Sequence, residues 1–213
     1  MDQKDTALVQ FYGLDRISVV VPHIPPRARE LTRAVASLMR QTLPANVIKI
    51  VTDNNHHGSA ITRNRGLHLL DTPWVAFLDD DDELLPNHLA TLAVAAAREL
   101  DAGNSVGVVY PGCLVVDAWG QIIQRQEEWG RFGQPFNPEL LREKSYIPVT
   151  SLVHSTLAQK AQFGPPTGVE TTYDDWGFYL RLLDLGARFI HVPQETWVWH
   201  HHGENTSGQP DRW

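Results

Sequence analysis

Between Arg16 and Leu100 the sequence alternates three times between a short β-branched run and a longer segment with helical spacing. "RISVVVP" (Arg16 to Pro22), "NVIKIVT" (Asn46 to Thr52) and "WVAFL" (Trp74 to Leu78) have the length and composition of buried strands. After the first comes "PPRARELTRAVASLMRQ", whose Leu31, Val35, Leu38 and Met39 fall on one helical face behind a start marked by Pro25 and Pro26. Helices are likewise expected from Ala60 to Leu70 and from Pro86 to Leu100. No two-residue hairpin signal separates these strands. A chain of this kind forms a parallel sheet with right-handed crossovers and helices on both faces.

The second half changes character. "VGVVY" is a strand, and "CLVVDAWGQIIQ" has the form of a hairpin turning at Asp117 to Gly120. Arg125 to Lys144 is polar and without period, so loop with a short helix is expected. "TYDDWGFYLRLLDLG" is helical, with Trp176, Tyr179, Leu180 and Leu183 on one face and Gly186 as a stop. "RFIHV" and "ETWVW" are two short strands. With 213 residues, no repeat and no linker, the chain is expected to be one α/β domain, residues 1–213.

The third strand runs straight into "DDDDE" (Asp79 to Glu83). Adjacent carboxylates repel, and burying them without a partner is costly. Three explanations compete. Asp81 or Asp82 could cap the helix near Pro86 while the others are solvated. A calcium loop fails, because Leu84 stands where the EF-hand pattern needs Gly and Ala90 where it needs Glu. In the third, Asp79 and Asp81 form a D-x-D pair facing a divalent cation that also holds a diphosphate. In an open parallel sheet ligands bind beyond the carboxyl ends of the strands. Here those ends are Pro22 and His23, then Asp53, then the acidic run, so the polar groups converge on one crevice.

Charge and composition narrow the classes. A net charge of −7 offers no general affinity for nucleic acid or anionic membrane. Cys113, the single cysteine, rules out an internal disulfide and a Cys-rich metal site. No apolar run approaches the roughly 18 residues of a membrane span, and "MDQKDTALVQ" lacks the pattern of a signal peptide. A cytoplasmic protein without a membrane span is therefore expected.

These pieces, in this order, resemble the inverting glycosyltransferases of family 2. The resemblance runs through "SVVVP", "IVTDNN", "TRNRGL", "VAFLDDDDELLPNHL", "SYIPVTSLVH", "YDDWGFYLRLLDLGARFIHVP" and "WHHHGENTSG", across residues 16 to 208. It implies the GT-A fold: a Rossmann-like, mainly parallel central sheet with helices on both faces and a smaller mixed acceptor-side region. Residues 1–110 would form the nucleotide-sugar-binding half and 111–213 the acceptor-binding and catalytic half. By the same resemblance Pro22, His23, Asp53, Arg63 (with Arg65 as its competitor), Asp79 and Asp80 would bind the nucleotide-sugar donor. Asp81 and His202 would hold Mn2+ or Mg2+, with His200 and His201 as competitors for the second place. Asp175 would be the general base with Asp174 beside it, and Trp176 and Trp199 would meet the acceptor, in a site shaped by the stretch from Trp119 to Ile147. The donor most frequent in the family is a UDP-sugar. The acceptor hydroxyl could belong to a saccharide, a lipid-linked sugar, a protein or a modified nucleic-acid base.

The sequence departs from the family at "HIPP" after the first strand, in the short "DNNHHGSA" loop, and at Asp174, where Glu is commoner. Two other classes compete. A phosphatase of the haloacid dehalogenase type would also use Asp79 and Asp81, but carries its D-x-D on the first strand. A non-catalytic sugar-nucleotide-binding module would need no base at Asp175.

Overall fold

The computed structural model describes residues 1–68, 70–117, 119–124, 133–168 and 173–201. The strands are β1 (Ile17–His23), β2 (Val47–Thr52), β3 (Trp74–Phe77), β4 (Glu83–Leu84), β5 (Val108–Asp117), β6 (Ile122–Gln124), β7 (Leu152–His154) and β8 (Phe189–His201). The helices are α1 (Gln3–Phe11), α2 (Ala28–Met39), α3 (Ser59–Leu67), α4 (His88–Asp101), α5 (Pro138–Glu143), α6 (Ser155–Ala161) and α7 (Asp174–Asp184), with a 3-10 turn at Pro25–Arg27. Among the described residues these strands join one sheet in the order β2-β1-β3-β7-β5-β8-β4, with β6 paired to β5.

The first three strands are parallel, as the alternation predicts: Ser18 lies opposite Val47 and Val75. β7 is antiparallel to both β3 and β5, so the sheet becomes mixed where the sequence loses its alternation. β5 and β8 are again parallel. Central strands are buried on both sides and alternate between two cores. Ile17, Val19, Val21, Trp74 and Ala76 face the layer of α1, α2 and α4. Val20, Val75 and Phe77 face α3, α5, α6 and α7.

Four differences from the sequence reading have physical causes. The strand "VGVVY" and the first arm of the expected hairpin are one strand, β5, and "RFIHV" and "ETWVW" are one strand, β8. The register between them shifts around Gly112, opposite the segment holding Pro193. Prolines cannot donate to a ladder but fit at such bulges, so they mark a bend and not an end. Helix α1 was not expected. It buries only Asp5 and Val9, so its apolar period is weak; Asp2 Oδ1 caps it by accepting from Asp5 N at 2.8 Å, and Arg98 of α4 donates to Asp5 at 2.9 and 3.0 Å. Short β7 and α6 lie in "SLVHSTLAQKA", too brief to show a period. No Asp caps α4: the residue before it is Asn87, whose side chain makes no capping bond, and Gln41 Oε1 accepts from Leu89 N at 3.0 Å instead. No helix among the described residues is long and apolar enough to cross a membrane.

Candidate active site

A cavity of about 550 Å³ opens at the carboxyl ends of β1, β2 and β3. Its floor comes from Pro22, His23 and Asp53 at the strand ends and from Asp79 to Asp82. Asp174, Asp175 and Trp199 close the far side. The lining carries seven aspartates against two arginines, Arg27 and Arg63. Ten of the twelve residues expected at the site therefore meet in one space. Trp176 is not among them. One step along α7 from Asp175 turns it about 100° around the helix, and its indole N–H donates to Leu141 O at 2.6 Å. His202 lies outside the described residues.

The four aspartates after β3 have different surroundings. Asp80 is buried; its Oδ2 lies 2.9 Å from His23 Nδ1 and accepts from Ile24 N, and its Oδ1 accepts from Arg27 at 3.1 Å. It ties the end of β1 to the acidic loop. Asp81 Oδ2 meets Arg27 at 2.7 Å. Asp82 Oδ1 accepts from His200 N at 3.0 Å, and burial, reinforced by Asp81 and Asp79, pushes its carboxyl well above the usual range. Asp79, Asp81 and Asp82 can each present one oxygen, all within 4.8 Å of one another. Three hard oxygen donors, with a buried carboxyl destabilised by like charge, fit a divalent cation of the Mg2+ or Mn2+ kind. Asp82, read from sequence only as a helix cap, belongs to this group.

Arg63 connects the acidic run to α7. Helix α3 packs closely on β1 at Gly66, where a Cβ would collide with Val20. One turn earlier, the Arg63 guanidinium lies 5.2 Å over the Phe163 ring. It donates to Asp79 at 2.5 Å and to both oxygens of Asp174 at 3.0 and 3.1 Å. Burial opposes its charge, but Asp79, Asp174 and Asp175 outweigh burial and hold it protonated, above its ordinary range. Ser59, which sequence reasoning missed, donates to Asp174 Oδ2 at 2.6 Å. Asp174 is thus engaged by Ser59 and Arg63, while Asp175 Oδ1 accepts from Trp176 N at 2.8 Å in the first turn of α7.

Asp53 folds its own loop: Gly58 N donates to it at 2.8 Å and Asn55 N at 3.3 Å. Backbone amides, that of His57 foremost, hold its carboxyl below the usual range. The His200 ring lies 3.0 Å from Glu83, so it turns to the acidic residue beside the three metal-fitting carboxylates. His201 packs its ring 5.5 Å from that of Trp199. Arg27 was also missed; it follows a Pro-Pro pair and carries no motif of its own.

Residues 11–158 match the family model described as glycosyl transferase family 2. That family match favours a transferase over a phosphatase. No curated protein matches the sequence. Among solved structures, TarS of S. aureus 1-349 in complex with UDP-GlcNAc superposes with a TM-score of 0.65 at 18% identity, over 91% of this chain and 61% of that one. Another S. aureus TarS structure gives 0.61 at 16% identity, over 87% of this chain and 36% of that one. The mannosyltransferase PcManGT from Pyrobaculum calidifontis, in complex with GDP-Man and Mn2+, gives 0.60 at 15% identity, over 95% and 67%. At such identities the likeness is one of fold. This chain spans between 36% and 61% of the TarS structures.

Proposed function

Because the chain belongs to glycosyl transferase family 2, we propose that it moves a sugar from a nucleotide diphosphate donor to an acceptor hydroxyl, with inversion and with a divalent cation. The observation that carries this reading is the acidic cavity at the strand ends. Seven aspartates against two arginines repel a diphosphate unless a cation enters with it.

Asp79, Asp81 and Asp82 would hold the cation, and His202 remains part of this reading. A Mn2+ or Mg2+ ion there supplies positive charge to the leaving diphosphate. Pro22, His23 and Asp53 would border the base and ribose, with Asp80 fixing His23. Arg63 would position Asp79 and Asp174 relative to each other. Asp175 would take the proton of the acceptor hydroxyl as that oxygen attacks the anomeric carbon from the face opposite the diphosphate. One displacement inverts the carbon and needs no covalent intermediate. Trp199 supports an acceptor-side role because it lines the cavity; Trp176 would act by holding α7 against α5. The two sequence halves then divide the labour, with donor groups mostly before residue 110 and the base and Trp199 after it.

A UDP-sugar is the donor expected. Two of the similar solved structures are complexes, one with UDP-GlcNAc and one with GDP-Man, so the test must include both bases. Thermal shifts with UDP, GDP, ADP and CDP, each with Mn2+ or EDTA, should give one base a metal-dependent rise, since ligands binding only the native state stabilise it. No metal-dependent shift for any nucleotide would contradict the reading.

A further inference from the structure

The two cavity arginines are held in opposite ways. Arg63 has 5% of its side chain exposed and is gripped by carboxylates on two elements. Arg27 has 30% exposed and sits on the three-residue 3-10 turn after β1, which has no side-chain cap. Its contacts in the cavity come from one nitrogen, 2.7 Å from Asp81 Oδ2 and 3.1 Å from Asp80 Oδ1. Those carboxylates are nearly buried, at 8% and 5%. In this pairing the carboxylates are fixed and the cation is the partner with room to leave.

Asp81 is also one of the three carboxylates that fit a divalent cation. A guanidinium at 2.7 Å from its Oδ2 adds positive charge next to the place where that cation would sit. We propose that Arg27 is a resident counter-ion of the acidic cavity, which a divalent cation must displace from Asp81 in order to bind. This deepens the metal-site reading above and rests on it. Arg27 is a positioning residue here. It neutralises the carboxylates before the metal arrives and thereby weakens the metal's affinity for the protein alone. Once displaced, the guanidinium remains at the rim of the same cavity, where a diphosphate would give it a new partner. Metal and donor would then favour each other's binding through this side chain, by reciprocal linkage.

The test is calorimetric titration of Mn2+ alone, without nucleotide, into the parent protein, Arg27→Gln and Arg27→Lys. Removing one unit charge a few ångströms from a half-buried ion should tighten Mn2+ binding about tenfold or more in Arg27→Gln. Arg27→Lys keeps the charge and should stay close to the parent. Equal or weaker binding in Arg27→Gln, with the parent binding Mn2+, overturns the counter-ion role and leaves the metal site standing. No Mn2+ binding in any of the three overturns the metal site as well. A variant that fails to fold is bypassed on the parent by following the Arg27 Nε–H nuclear resonance during a Mg2+ titration. Displacement predicts a shift that saturates with metal, and an unmoved signal at saturation overturns it.

Discussion

Arg63 and Asp174, 111 residues apart in the sequence, are joined by hydrogen bonds of 3.0 and 3.1 Å from one guanidinium nitrogen, and the other terminal nitrogen of that group reaches Asp79. The end of β3 and the first turn of α7 are therefore positioned through one buried cation. Arg63→Met would leave two carboxylates facing each other without it. Loss of a partner from a fully buried pair costs about 3–5 kcal/mol. Asp79 keeps 30% of its side chain exposed, so about 2–3 kcal/mol is expected after allowing for solvent screening. Urea unfolding measures it, and a loss no larger than that of an ordinary surface substitution would contradict the bridging role. Arg63→Lys should fall between, because an ammonium keeps the charge without the planar fork.

Helix α7 is held at its other contact by the absence of a side chain. A Cβ on Gly177 would meet Gly164 O, and would lie 2.6 Å from Pro165 C and 2.7 Å from Pro166 N. These are backbone atoms and cannot step aside cheaply. Gly177→Ala should cost about 1–3 kcal/mol, the usual scale of overpacking. It should also speed amide exchange in the first turn, where Asp174 and Asp175 sit. Unchanged exchange there would mean that the loop yields instead of the helix.

His88 supplies a pH dependence away from the cavity. Burial drives its pKa from an ordinary 6.5 to about 3, with contacts to Thr196 and Thr150 opposing in part. Its Nδ1 lies 2.8 Å from Thr196 Oγ1. Above pH 6.5 neither the native nor the unfolded form carries the proton. As pH falls from 6.5 toward 3, the unfolded chain binds a proton that the native one does not, so stability is lost over that window. The slope is at most about 1.4 kcal/mol per pH unit. Between pH 7 and pH 5 the parent should lose about 1–2 kcal/mol more than His88→Gln. Equal losses in urea unfolding would show that His88 is protonated in the native state.

The base assignment separates chemistry from donor binding. Asp175→Asn keeps the size and most of the hydrogen bonding but cannot accept the acceptor's proton. Donor turnover, with water or an acceptor alcohol as nucleophile, should fall about 10²–10⁴-fold. Donor affinity should change little, because an interaction used only in the transition state is lost. A near-parental rate would pass the role to Asp174.

The sequence carried the parallel half of the fold because buried strands and amphipathic helices differ in period, and β1 to α4 show both clearly. It carried the cavity because topology alone brings Pro22, Asp53 and Asp79 to one edge. The mixed half was harder. β5 and β8 were each split in reading, since Pro111 and Pro193 look like ends and are bulge positions. The cavity's salt-bridge partners were harder still. Arg27 and Ser59 act through contacts to Asp81 and Asp174 that lie far along the chain, and nothing in their local pattern announces them. Trp176 was misplaced relative to the cavity for a related reason: adjacent positions on a helix point in different directions, and the Asp175 neighbour turns to Leu141.

In the proposed function, the acidic cavity binds a nucleoside diphosphate through a divalent cation held by Asp81 and its neighbours. Calorimetric titration of UDP into the parent protein and Asp81→Asn, each with saturating Mn2+ and then with EDTA, decides it. Tight binding is expected only in the parent with Mn2+, and weak, metal-independent binding in the other three conditions. Equal UDP affinity with Mn2+ and EDTA in the parent, or undiminished Mn2+-dependent affinity in Asp81→Asn, would contradict it.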